Sequence, residues 1–395
     1  MRRRLPNSLL ATFLILLVSA RSFAALASPF DHQAYIWQRV WTDQLATTTQ
    51  AMAADFSGYR VLIAEADVET LRAFSIHWAA LAAARRPVTL VLRIPGAQPQ
   101  FSVTALLAEI DTARKQAQAA GVDVRGVEID HDCARSRLPA YAKQLRVLRS
   151  ALPPDLALSI TALPDWLRSD DLEAVLAAVD ASVLQLHAVS APAAGLFDPA
   201  LALRWTRAYA RRVPHPFRVA LPAYSTRVSQ DADGRIVAIE SDAATMPVFD
   251  EDARELVADP RRVAVVLRRL RETRPASLSG VAWFRLPLAS DRRAWSATTL
   301  QALMADTDVS LRVVAERVRI GQGANFDIVL RNRQRVDLLA PRTVNVPSDC
   351  RSGDGVAGYR FDAGQTRFDS DTPPLLKPGT SRTIGWVHCP GSDAP

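Results

Sequence analysis

Lysine is almost missing from this sequence: only three of its 48 basic residues are lysine. Such an arginine excess reads as coding bias, and no dense basic run with interleaved aromatics accompanies it, so no nucleic-acid partner is expected. Cysteine is scarce too, at three residues. Cys350 and Cys389 fall together in the last 50 residues and, in an oxidising exported compartment, are natural disulfide partners. Cys133 is left over and reads as a small hydrophobe at a strand end, because no Cys-His signature surrounds it. HExxH and paired His or Cys ligand spacings are absent, so neither a metal nor a cofactor is expected; a metal held by Asp130, Asp132 and His187 ranks below metal-free acid chemistry. Gly-x-Ser-x-Gly and the P-loop are lacking as well. No Gly-rich phosphate loop follows the first strand pattern, which removes the main support for a doubly wound sheet.

Long apolar runs are also missing beyond the N-terminus. The one at Leu9–Val18 is shorter than the roughly 20 residues of a spanning helix. Preceded by Arg2–Arg4 and followed by Ala25-Leu26-Ala27, it reads as a secretory signal peptide over residues 1–27. A periplasmic or secreted protein without a stable membrane span is the expectation. The formal charge of +7 then falls to +3, because residues 1–27 carry four Arg and no acid.

What is present is alternation. Eight short apolar runs, at 34–41, 59–66, 88–95, 124–132, 156–163, 182–189, 217–224 and 280–287, are separated by amphipathic stretches such as 68–84, 102–120, 137–151 and 196–212. Eight such units within residues 28–304 predict an α/β fold, a TIM-type (β/α)8 barrel. Segment 225–249, with its DADGR turn, predicts an inserted hairpin or lid at the barrel mouth. Residues 305–395 lose the helical periodicity and predict a small β-sandwich-like domain.

The fourth run, VRGVEIDHDC, carries acids on alternate positions. Glu128, Asp130 and Asp132 share one face, and Val127, Ile129 and His131 take the other. Three stacked carboxylates repel one another, so at least one should have a raised pKa or a basic partner, with Arg39, Arg93 and Arg285 as candidates. Barrel enzymes keep their chemistry at the C-terminal ends of the strands, where Asp132 stands. Glu128, deepest, is expected to be structural. Other strand ends suit a sugar site: Trp37, Trp41, Trp166, Tyr224 and Trp283 offer flat faces, Gln185 and His187 offer hydrogen bonds, and Glu65 offers a second carboxylate, with Asp67 close by.

The run Arg125-Gly126-Val127-Glu128-Ile129-Asp130-His131-Asp132 resembles the fourth-strand signature of chitinase-type glycoside hydrolases, D-G-[aliphatic]-D-[aliphatic]-D-x-E. The resemblance implies that Asp132 donates the proton to the glycosidic oxygen, that Asp130 orients a substrate acetamido group, and that Glu128 supports them from within. Two departures stand out: Arg125 replaces the first Asp, and Asp132 replaces Glu. The barrel portion as a whole, with YIWQRVW, LSITALPDWL, VLQLHA and FRVALPAYS, also resembles an exported bacterial domain-of-unknown-function family of glycosidase-like TIM barrels. Two functions follow from these readings. One is an exported glycoside-hydrolase-like protein acting on a polysaccharide or oligosaccharide; the alternative is a catalytically silent glycan-binding or cell-envelope scaffold protein.

Overall fold

The computed structural model describes residues 30–66, 70–98, 101–187, 195–240, 253–309 and 312–393. The expected signal peptide, Asp67 and residues 241–249 of the expected lid lie outside these residues. Eight parallel strands form the barrel: β1 Asp31–Ile36, β2 Gly58–Ala66, β3 Val88–Ile94, β4 Val124–His131, β5 Ala157–Ala162, β6 Ala181–Gln185, β7 Phe217–Pro222 and β8 Leu278–Phe284. Each pairs in parallel with the next, and β1 pairs with both β2 and β8, which closes the sheet. A helix follows every strand: α1 Asp43–Ala51, α2 Trp78–Ala84, α3 Val103–Ala119, α4 Leu138–Ala151, α5 Leu172–Leu176, α6 Pro199–Ala210, α7 Pro260–Glu272 and α8 Ala297–Met304.

Local chemistry sets the helix starts. The side chains of Thr42, Ser102, Asp198 and Asp259 each accept a backbone N–H from the first turn that follows, and Pro199 and Pro260 stand where a missing N–H costs nothing. The strands then bury two different faces. Val127, Ile129, Leu158 and Ile160 pack outward in one large core against the helices, whereas Tyr35, Leu62, Val91, Val183, Ala220 and Ala282 fill the barrel interior. Gly126 is the residue that lets β4 and β5 approach: a Cβ there would lie 2.8 Å from the Ala157 carbonyl oxygen.

The helix expected over 68–84 is shorter than the periodicity suggests. Leu71–Ala73 instead forms a strand antiparallel to β2, and the helix starts at Trp78. Phe74 packs against the interior cluster, so tertiary burial overrides helical spacing here. Between β7 and α7, strands Ser225–Gln230, Ile236–Glu240 and Arg254–Val257 make an antiparallel sheet around the DADGR turn. Beyond α8, antiparallel sheets of four, three and two strands form a small β domain. Its core is Phe326, Ile328, Leu330, Val344, Phe368, Ile384 and Val387, with the Cys350–Cys389 disulfide buried among them. No helix among the described residues is long and apolar enough to cross a membrane.

Candidate active site

Cross-strand register places the acids before any side chain is considered. One interior row runs Leu62, Val91, Glu128, Ser159; the row nearer the C-terminal mouth runs Glu65, Arg93, Asp130. Glu128 is fully buried and accepts from Tyr35 Oη at 2.7 Å, from Ser159 Oγ at 3.3 Å and from the Arg60 guanidinium, itself buried. Burial raises its pKa more than Arg60 and Tyr35 lower it. Its place is within the barrel filling.

Asp130 accepts from Thr161 Oγ1 at 2.6 Å and from Arg93. Asp132, past the end of β4, accepts from Arg93 Nη2 at 3.1 Å and from Gln185 Nε2 at 3.4 Å, and its side chain keeps 32% exposure against 2% for Asp130. Its backbone is pressed by Gly96, where a Cβ would lie 2.3 Å from the Asp132 carbonyl oxygen. Arg93 also lies 5.8 Å over the Trp37 ring and 3.9 Å from Glu65, while Arg39 donates to both oxygens of Glu65 at 2.9 and 3.1 Å. Among the described residues, three carboxylates, Glu65, Asp130 and Asp132, therefore meet two guanidinium groups. The surplus negative charge falls on Asp132, whose remaining partner is a neutral amide. Burial first, and the Asp130 charge second, raise the Asp132 pKa; the same acids raise that of Arg93.

His187 lies with its ring 5.6 Å from both Tyr224 and Phe284. Burial lowers its pKa to about 4, so it is neutral near pH 7, and its Nδ1 is buried without a hydrogen-bond partner. Trp37, Phe284 and Tyr224 form an aromatic run, with centroid spacings of 5.0 and 5.3 Å, and the Phe284–Arg285 peptide that ends it is cis. A cleft of about 530 Å³ is lined by Ala134, Arg135, Ser136, Asp165, Arg168 and Asp171, and none of the β4 acids lines it.

Several sequence expectations change. Trp283 is fully buried on the outer face of β8, donating from Nε1 to His32 at 3.1 Å, because alternation sends Phe284 inward instead. Trp166 is buried as well and donates to the Cys133 carbonyl at 2.9 Å, and Trp41 is half-buried beside His77. Arg285 pairs with Asp291 and not with the β4 acids. Glu65 commits both oxygens to Arg39, which makes it a brace for the two arginines rather than a free second carboxylate. Arg60, Thr161, Tyr35 and Phe284 were not anticipated; the visible signal for Arg60 was its place two residues before Leu62, on the same interior face. Burial pushes the Cys133 thiol up to about 12, which leaves it an unreactive packing residue. Among the described residues no group of three or more His, Cys, Asp or Glu is disposed to hold a metal ion.

Comparison with solved structures gives the spore cortex-lytic enzyme SleL of Bacillus cereus at 16% identity, covering 70% of this chain and 74% of that one, with a TM-score of 0.50. SleL of Bacillus megaterium QM B1551 matches at 13% identity over 70% and 73% of the two chains, with a TM-score of 0.51. A class V chitinase from Pseudomonas fluorescens Pf-5 has 14% identity over 70% and 98%, with a TM-score of 0.45. At these identities the likeness to the two SleL structures shows the fold alone, a (β/α)8 barrel. Comparison with curated proteins returns no match. A family model described as domain of unknown function DUF8456 matches residues 316–390 of the β domain. The model described as domain of unknown function DUF3142 matches residues 84–289, from the end of α2 past the end of β8 and more than half of the chain, which therefore belongs to that family.

Proposed function

We propose that this chain is an exported, glycoside-hydrolase-like enzyme of a polysaccharide, with Asp132 as the general acid. The observation that carries the reading is the charge balance at the mouth: among the described residues three carboxylates meet two arginines, and Asp132, the part-exposed acid that Arg93 shares with Asp130, has a raised pKa. A protonated Asp132 gives its proton to the glycosidic oxygen as the C1–O bond breaks, and the leaving sugar departs as an alcohol. With both Glu65 oxygens held by Arg39, the electron-deficient C1 is best met by the carbonyl oxygen of a substrate N-acetyl group, with water completing the hydrolysis. Asp130, fixed by Thr161 and Arg93, orients that group. Gln185 holds the acid in place. Export rests on the N-terminal Arg cluster, apolar run and Ala-Leu-Ala site.

One observation favours the catalytically silent, glycan-binding alternative: Arg93 bridges Asp130 and Asp132, holding the acid back in a position where the chain is already one methylene short of Glu. The test is reducing-end release from chitin oligosaccharides and purified peptidoglycan, with Asp132→Asn beside the wild type. A loss of about hundredfold or more is expected for the variant. Turnover that survives the substitution removes Asp132 from the role, and saturable binding by the wild type with no turnover selects the silent reading.

A further inference from the structure

We propose that the outer face of the four-stranded sheet in the β domain is a second carbohydrate-binding surface, centred on Trp386. Strands Val314–Arg319, Asn325–Arg331, Ser381–His388 and Ser352–Gly355 make this sheet, and its inner face covers the domain core. In register, Val318 stands opposite Asp327, Asp327 opposite Trp386, and Trp386 opposite Asp354, so these four side chains share the outer face. A register shift beside Ile328 and Val329 leaves Ile384 and Gly385 both buried and turns Trp386 out. Trp386 is 40% exposed, and on the same face Val314, Val318 and Ile320 are 41%, 39% and 45% exposed. An indole left open in the middle of a sheet, flanked on both sides by carboxylates, forgoes burial that the fold provides for Trp166, Trp283 and Trp295.

The charges choose the occupant. A pyranose presents a C–H face to an indole and hydroxyl donors around its rim. Asp327 and Asp354, on neighbouring strands with Cβ atoms roughly 4.5–5.5 Å from that of Trp386, are pure acceptors when ionised and suit those donors. A second copy of the chain fits poorly, since a two-fold contact through Trp386 brings like carboxylates into an interface centre, where charge is depleted. Nucleic acid and anionic lipid meet Asp327 and Asp354 beside Trp386, while Arg331 on the same face is already paired with Glu316. A neutral polysaccharide strand is the partner this face admits, and its capture raises the local concentration of glycan at the barrel. The inference rests on the proposed function only for the class of ligand and needs no chemistry at Asp132.

The experiment uses the full chain carrying Asp132→Asn, so that no probe is cleaved, incubated with insoluble peptidoglycan and with chitin; the bound fraction is read by depletion from the supernatant. Adding Trp386→Ala should weaken binding to at least one of them by about tenfold or more, and Trp386→Phe should retain an intermediate affinity. Trp386→Phe should keep the parent's thermal midpoint, and Trp386→Ala should lower it only slightly and stay folded, because the side chain is 40% exposed and stands on the face away from the domain core. Trp386→Ala alone should leave turnover of short soluble oligosaccharides unchanged. Equal binding by parent and Trp386→Ala overturns the proposal, as does a parent that binds neither material, or a solution dimer that Trp386→Ala dissolves. Absence of turnover in the wild type would sink the enzymatic reading while the binding comparison still decides this one.

Discussion

A raised pKa at Asp132 acts in opposite directions on chemistry and on stability. As an acid, the group is useful only while it holds its proton, so turnover should fall as pH rises through its raised value. For folding, the native state binds this proton more tightly than the unfolded chain does. The stabilisation is complete below the ordinary carboxylate value and is lost as pH climbs through the raised one. Asp132→Asn should therefore melt above the wild type near pH 7, with the difference shrinking toward pH 4; thermal midpoints across that range decide it, and a variant that melts lower throughout contradicts it. For Glu128, Arg60 is the only charged partner among the described residues, and both are buried. Arg60→Met should cost about 3–5 kcal/mol by leaving a buried carboxylate unpaired, and adding Glu128→Gln should restore much of that loss in urea denaturation. Strand alternation was enough to sort Glu128, Asp130 and Asp132 onto one face. It was not enough to choose among arginines, because Arg93 and Arg285 lie on equivalent-looking strand ends and only three-dimensional closure sends one to the acids and the other to Asp291.

Elements were legible where burial follows one rule along the whole segment. The eight barrel strands pack outward against helices and show the expected apolar runs, and α3 and α4 start within a residue of their predicted positions. Legibility failed where a segment serves two partners. The 68–84 stretch has helical spacing, yet Phe74 N–H donates to the Ile63 carbonyl at 2.8 Å and its ring joins the barrel interior, so the chain is held as a strand until residue 73. On β8 the large indole of Trp283 drew attention to the wrong face, because its neighbour Phe284 is the residue that the pleat turns inward. The β domain shows the opposite pattern: six of its nine strands have only two to four residues and bury little, and the Cys350–Cys389 link, 39 residues apart in sequence, ties the long strand Ser381–His388 to the loop before Ser352–Gly355. Replacing both cysteines by alanine should lower the stability of this domain by about 2–4 kcal/mol. Limited proteolysis should then cut first within residues 340–390, and an unchanged digestion pattern would show that the short strands suffice alone.

At the scale of the molecule, barrel and β domain are joined through a polar hinge in an otherwise apolar seam. Asp337, fully buried, accepts from the backbone N–H of Ser296 at 2.6 Å and from its hydroxyl at 3.1 Å, while its own N–H donates to Thr299 Oγ1 at 2.7 Å. Ser296 is the N-cap of α8, and its hydroxyl meets the Thr298 and Thr299 hydroxyls rather than a backbone N–H of the first turn, while the β domain supplies the acceptor for its own N–H. Lys377 adds a bond to the Ala294 carbonyl, and Val336 and Leu338 join the large core that surrounds the barrel. Folding of the two parts is therefore expected to be cooperative. Asp337→Ala removes the acceptor and leaves the Ser296 N–H buried without a partner, at a cost of about 1–3 kcal/mol concentrated at the seam. Calorimetry should show one transition for the wild type and two for the variant, the earlier one abolished when residues 305–395 are removed by proteolysis. A single transition, merely shifted, would place the coupling in the apolar contacts of Val336 and Leu338 and leave Asp337 as a local cap.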